Sequence, residues 1–293
     1  MNLNDLLAGK GIDPKGVVVL RHRPDEPQLR RVLPWLAAEH HHLFNAFQST
    51  HGPHVQASLA KASYVASFIG HEPGRALFVG LYGVEDSTPM TFEQFWQVPE
   101  YIEMRDRFGM VGWREDQDRR SSILFFELVQ TDFYSAWRGR LVVGWPGIER
   151  NWRRWASGVD FPVLAIHEYS ALVTDMPAWR EIVFPWEQLK ALPVRWQSVL
   201  KQWRAVYYIF DESDGKGYVG SAYGAENLHS RWLNYAATGH GGNRLLRGRD
   251  HRHLHFSILQ RLSPDLDAKD VIQLEGSWKD RLHTRAPLGL NDN

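Results

Sequence analysis

Ala205-Val206-Tyr207-Tyr208-Ile209-Phe210, then Asp211-Glu212-Ser213-Asp214-Gly215-Lys216-Gly217, then Tyr218-Val219-Gly220-Ser221 is the stretch on which the reading of this chain turns. A run of β-branched and aromatic residues, a seven-residue segment tolerant of left-handed backbone angles, and a second such run predict a β-hairpin over 205–221. Side chains alternate along a strand, so Tyr207 and Tyr208 fall on opposite faces, and Tyr208 reads as packing. A helix is predicted next, over about Glu226–Ala237, with Leu228, Trp232 and Tyr235 on one side and Arg231 one turn before Tyr235. Gly239, Gly241 and Gly242 end it. A third strand over Leu254–Leu259 and a last helix over Asp267–His283 complete the C-terminal part.

In the last helix the apolar stripe is Ala268, Val271, Ile272, Trp278 and Leu282, and at 100° per residue Glu275 falls inside it. A carboxylate facing a core is costly unless it is paired, protonated or metal-bound. Two readings stay open from the residues alone: a structural ion pair with an arginine, or a metal ligand or acid–base group at the edge of a cleft. The hairpin adds Tyr207 and Tyr218, one on each strand. Two phenols, a guanidinium and a carboxylate suit phosphodiester hydrolysis. Arg stabilises phosphate charge, a carboxylate holds a hard divalent ion, and a phenol orients or deprotonates water.

The ordered pattern resembles the GIY-YIG nuclease family. Ala205-Val206-Tyr207 stands where Gly-Ile-Tyr is usual, and Tyr218-Val219-Gly220-Ser221-Ala222 supplies the second half of the signature. Leu228-His229-Ser230-Arg231-Trp232 with Gly239-His240-Gly241-Gly242-Asn243 looks like the arginine helix and its following loop. Leu274-Glu275-Gly276-Ser277-Trp278-Lys279 resembles the metal-binding glutamate segment, and Gly289-Leu290-Asn291 the closing asparagine motif. The resemblance covers residues 203–293. It implies a three-stranded antiparallel sheet flanked by helices and a catalytic set of Tyr207, Tyr218, Arg231, Tyr235, Glu275 and Asn291. In that set Tyr207 assists the water or acts as base, Tyr218 supports water and phosphate, and Arg231 binds the scissile phosphate. Tyr235 assists near the nucleophile, Glu275 binds one Mg2+ or Mn2+, and Asn291, with Asn293 as a rival, holds the terminal segment. The implied activity is metal-dependent endonucleolytic cleavage of DNA, expected to be double-stranded. A restriction-like or defensive role leads, repair or mobile-element work is the alternative within enzymes, and a non-cleaving binder on a nuclease fold is the alternative outside them. Two-strand cutting by a one-site nuclease calls for a homodimer or sequential nicks.

The family's catalytic domain usually borrows specificity from an attached domain, and residues 1–190 are the candidate, with 191–204 as a connecting helix and 205–293 as the nuclease-like domain. The 293 residues, 43% apolar and 23% charged, suit about two soluble domains. Helical spacing appears at Leu29–His42, Phe92–Arg107, Ile148–Ser157 and Val194–Arg204. Strands are predicted at Tyr64–Ile69, Ala76–Val84, Ile123–Val129, Leu141–Trp145 and Val163–His167. Together these make an α+β chain with a strand-rich N-terminal domain, read as a small pseudo-barrel that contacts DNA and a modified or flipped base.

Net charge is zero overall, so the whole chain is no generic polyanion binder, yet charge is uneven. Arg244, Arg247, Arg249 and Arg252, with His251, His253 and His255, meet only Asp250 in one loop. Those arginines, with His240 and Asn243, are expected DNA contacts. His240 has an equal alternative, capping the glycine turn. Arg150-Asn151-Trp152-Arg153-Arg154-Trp155 interleaves cations and aromatics, so Arg153 and Arg154 are expected to grip phosphates, against a helix with core tryptophans. His40-His41-His42, with His51 and His54, invite a metal reading, but adjacent histidines on a helix point in different directions, and the group reads as structural. The absence of cysteine excludes disulfides, thiolate metal sites and a cysteine nucleophile, and is compatible with a reducing cytoplasm. Residues 1–13 lack a signal-peptide pattern and no apolar run reaches membrane length, so a soluble cytoplasmic protein without a membrane partner is expected.

Overall fold

The computed structural model describes residues 1–147, 151–223 and 227–292. It is a mixed α+β chain of two compact units, Met1–Thr174 and Asp175–Asn293. No described helix is long and apolar enough to cross a membrane.

The first unit is a curled half-barrel. Its strands are β1 (Val17–His22), β2 (Tyr64–Gly70), β3 (Arg75–Met90), β4 (Ile123–Gln130), β5 (Leu141–Gly144), β6 (Arg153–Trp155) and β7 (Val163–Ile166). Their order is β6-β1-β2-β3-β5-β7. The sixteen-residue β3 carries β5 beside its first residues, Arg75–Leu77, and β4 beside Tyr82–Met90. β1 and β2 are parallel, so a crossover must join them. It is made by α2 (Pro27–Glu39), α3 (His41–Ser49) and α4 (Pro53–Leu59), and follows α1 (Leu3–Ala8). Two further helices, α5 (Phe92–Phe95) and α6 (Pro99–Phe108), lie between β3 and β4. Phe68, Phe78, Phe133, Trp145 and Phe161 fill one core.

The five predicted N-terminal strands form, but two features differ from expectation. Val17–His22 is a strand buried along its whole length, without the alternation that announces a half-exposed one. The helix expected over 148–157 is absent from its described part. Residues 148–150 lie outside the described residues, and Arg153–Trp155 is a short strand on β1, pairing Arg154 with Val19 and Arg153 with Leu20.

The half-barrel keeps a cleft of about 1030 Å³ lined by His22, Phe47, Thr50, His51 and Trp152. His22 and His51 are shut off from water at Nε2, and neither Nε2 has a hydrogen-bond partner. Burial pulls the His22 imidazole down to about 3, with His51 adding to the effect, and burial pulls His51 to about 4.

The second unit has β8 (Val183–Pro185), β9 (Arg204–Asp211), β10 (Lys216–Ala222) and β11 (Leu254–Leu262), with α7 (Trp186–Leu189), α8 (Val194–Leu200), α9 (Leu228–Thr238) and α10 (Ala268–Arg281). The strand order β10-β9-β11-β8 makes a four-stranded antiparallel sheet instead of the three-stranded one expected. The extra strand also moves the boundary: Val183–Pro185 pairs with Ser257–His255, so the second unit begins near residue 175 and not near 190.

β10 is an edge strand, and residues 284–292 close it. The Leu290 N–H donates to the Gly217 carbonyl at 2.9 Å. The Asn291 side chain acts as a strand partner, accepting from the Val219 N–H at 2.9 Å and donating to its carbonyl at 2.8 Å. Asn291 is 2% exposed, so those two backbone groups have no water to turn to.

Asn291→Ala therefore strands two buried backbone groups, each worth about 1–3 kcal/mol. A loss of about 2 kcal/mol or more in urea unfolding of the second unit is expected, and a change under about 0.5 kcal/mol would contradict the pairing. In the first unit the buried imidazoles bind fewer protons folded than unfolded at any pH between their lowered values and 6.5. Their stabilisation is complete above pH 6.5 and is lost as pH falls toward 4, by up to about 1.4 kcal/mol per pH unit for each histidine. The urea midpoint of this unit should drop between pH 7 and pH 5, and the slope should flatten in His22→Phe/His51→Phe.

Candidate active site

Alternation along the hairpin sorts its side chains onto two faces. Tyr207 lies opposite Gly220 and Ile209 opposite Tyr218, so these four share the face toward α9. Tyr208, Val219 and Ser221 take the other, where Tyr208 and Val219 pack with Val271, Leu274 and Trp278 of α10. Gly220 is required here. A Cβ at this position would come within 2.5 Å of the Tyr207 hydroxyl and 2.9 Å of the Tyr218 ring.

On the α9 face the phenols converge. The hydroxyls of Tyr207 and Tyr235 are 3.2 Å apart, and Arg231 Nε donates to the Tyr207 oxygen at 3.1 Å. The Arg231 guanidinium lies 5.6 Å from the centre of the Tyr235 ring. The Tyr218 ring centre is 6.5 Å from that of Tyr207 and 6.2 Å from that of Tyr235. Asn227 caps α9 by accepting the Ser230 N–H, and Gly239 closes it in the left-handed region, so Arg231 and Tyr235 sit one turn apart on a fixed helix. Glu226, the expected helix start, lies outside the described residues.

Burial pushes the Tyr207 and Tyr235 phenols well above their usual value. Tyr207 is fully buried and stays protonated at neutral pH, so in this arrangement it orients Arg231 and is poorly suited to act as a base. Tyr218 is only half-buried and is the phenol open to a substrate.

Glu275 is not among these groups; it lies on the opposite face of β10. One carboxylate oxygen pairs with Lys279 Nζ at 2.7 Å, one helical turn on, and the other accepts a hydrogen bond from the Ser221 hydroxyl. Its side chain is 20% exposed and that of Lys279 only 7%. Lys279 and Ser221 were not anticipated as neighbours of the carboxylate, although the four-residue spacing of Glu275 and Lys279 could have shown the first. The stripe drawn from periodicity is also corrected. Ile272 is 58% and Leu282 37% exposed, and the face that packs is Val271, Leu274, Trp278 and the Lys279 stem.

The basic loop is largely occupied within the chain. Arg249 bridges Asp211 at 2.5 Å and Asp214 at 2.9 Å, Arg244 grips Asp292 with two nitrogens, and Arg252 grips Asp250. Burial alone would raise the Asp211 carboxyl, but Ser213 and Arg249 donate to it and hold it below the usual range. His240 Nδ1 accepts the Gly242 N–H, the capping alternative. Asn243 donates to the Leu290 carbonyl and caps the turn at Leu245, so it serves the closing segment. Arg247 is exposed. In the first unit Arg153 and Arg154 are half-buried on β6, and Trp152 is 36% exposed. Asn293, the rival to Asn291, lies outside the described residues.

Removing Arg249 leaves the 1%-exposed Asp211 without its counter-charge. Arg249→Ala should cost about 3 kcal/mol in chemical unfolding of the second unit, against at most about 0.5 kcal/mol for Arg247→Ala. Equal small costs would return Arg249 to the list of surface DNA contacts. Compared with family models, curated proteins and solved structures, the chain matches none, and the reading of this site stands on its geometry.

Proposed function

We propose that the second unit is a metal-dependent endonuclease that hydrolyses DNA phosphodiester bonds. The observation that carries this is the cluster of Arg231 with the phenols of Tyr207 and Tyr235, beside Tyr218. A guanidinium held rigidly by neutral hydroxyls is suited to bind a phosphate and to stabilise charge that develops on it. The ordered resemblance to GIY-YIG nucleases points the same way.

Glu275 suits a divalent ion. A carboxylate offers about four lone-pair positions, and Lys279 and Ser221 engage two of them. Mg2+ is commonly held by one or two carboxylates, with water and phosphate completing its shell. Glu275 would hold Mg2+ or Mn2+, which when bound supplies Lewis-acid charge near the phosphate. Lys279 and Ser221 fix the rotamer of that carboxylate. Arg231 binds and orients the phosphate, Tyr207 holds Arg231, and Tyr218 positions the attacking water. Because Arg231 and Glu275 flank β10 from its two faces, this reading seats the phosphate at the Ala222 end of β10, where groups from both sides can reach it. Target choice belongs to the first unit, and a restriction-like or defensive role is the leading one, with repair or mobile-element work as the alternative.

The buried ammonium of Lys279 favours one second reading. It already neutralises Glu275, as it would in a protein that binds DNA without cutting it.

Supercoiled plasmid, modified and unmodified, incubated with Mg2+ or EDTA decides between them. Metal-dependent nicking is expected, reduced at least about 100-fold in Arg231→Ala and in Glu275→Ala, and less in Tyr207→Phe. DNA binding with no nicking under any metal condition would establish the second reading.

A further inference from the structure

The cleft of the first unit has polar atoms that the chain itself does not satisfy. His22 ends β1 and is 3% exposed, and His51 follows α3. Each has an Nε2 with no partner. Gln48 serves both rings elsewhere, through its side chain for His22 and its backbone for His51. Since Nε2 of His51 is unpartnered, that backbone bond uses Nδ1–H, and Nε2 is left as a bare acceptor. The surroundings are aromatic. Phe44 and Phe47 have ring centres 5.5 Å from His22, and Trp152 lies 6.5 Å from His22 and 5.6 Å from His51.

Three properties of a ligand follow. The edge of it that meets the imidazoles is uncharged, because both rings are neutral at pH 7, while Arg21, Arg23, Asp25 and Glu26 also line the cleft and can meet charge elsewhere on the same molecule. It is flat at that edge, because Phe47, Trp152 and the two imidazoles present ring faces and edges there. It carries a hydrogen-bond donor on one edge, because His51 offers an acceptor. The cleft, about 1030 Å³, shares Phe47, Thr50 and His51 with a neighbouring cavity of about 320 Å³, so a nucleoside has room.

We propose that this cleft receives a single nucleobase turned out of a DNA duplex, with the exocyclic amino edge of the base on Nε2 of His51 and His22 and its face against Trp152. Trp152 lies against both imidazoles and is the side chain that swings aside as the base enters. Neither Nε2 finds a partner within the chain, and a matching base edge supplies one. The inference rests on the DNA reading above but not on cleavage.

Binding is measured with full-length Glu275→Ala protein in EDTA, where nothing is cut. Two fluorescein-labelled duplexes are compared, identical except that one central cytosine or adenine is unpaired in the second. An unpaired base is already partly freed from the stack, so at least about 10-fold tighter binding of that duplex is expected. The preference should vanish in Trp152→Ala, a change at the rim that leaves the core intact, and in His22→Phe/His51→Phe, with folding checked by thermal melting. Equal affinity for the two duplexes, or a preference that survives both variants, overturns the proposal and leaves the nuclease reading standing. Absence of nicking by the unsubstituted protein with Mg2+ in the plasmid assay, with the binding preference intact, overturns the nuclease reading alone.

Discussion

The side-chain alternation of the β9–β10 hairpin is the constraint on which the second unit depends. A slip of one residue would exchange the faces, sending Tyr207 into the aliphatic layer under α10 and Tyr208 into the place of the buried phenol. The register is held from several directions. Gly220 leaves room for the Tyr207 ring and hydroxyl, Trp232 packs edge-on against that ring, and the closing segment grips Val219 by its backbone. The site chemistry is thus a by-product of a packing solution. The Tyr207 hydroxyl is buried and needs partners, and Arg231 and Tyr235 supply them.

The hairpin, α9 and α10 were legible in the sequence because each carries a strong local signal: a turn of Asp, Ser and Gly, a glycine stop, a helical period. The elements that were not legible lack such a signal. β1 is buried throughout and pairs in parallel, so it shows no alternation, while β6 and β8 are three residues long and exist through their partners. The site divided in the same way. Arg231 and Tyr235 lie one turn apart and could be placed together from spacing. The fates of Arg249 and Arg244 depend on Asp211 and Asp292, 38 and 48 residues away, which composition cannot reveal. Glu275 stands out in the sequence because a carboxylate near a core is costly. Its partner proved to be a lysine on its own helix instead of a distant arginine.

The two sites differ in how their polar groups are satisfied. In the second, every buried charge singled out above has a counter-charge or a donor: Asp211 has Arg249 and Ser213, and Lys279 has Glu275. In the first, His22 and His51 remain neutral and incompletely satisfied among aromatic rings. Neutral imidazoles suit recognition of an uncharged edge, while paired charges suit a rigid frame around a phosphate.

The closing segment has a consequence beyond holding Val219. An open sheet edge is a template for strand addition by another chain, and β10 would be such an edge, with the Gly217 carbonyl and the Val219 N–H and carbonyl unpaired. The Asn291 amide imitates one peptide unit of a missing strand but, being a side chain, cannot pass the pairing on to a further neighbour. The sheet is thereby given a full stop at this end, and proteolytic loss of the last few residues would convert a self-limiting fold into one with a sticky margin.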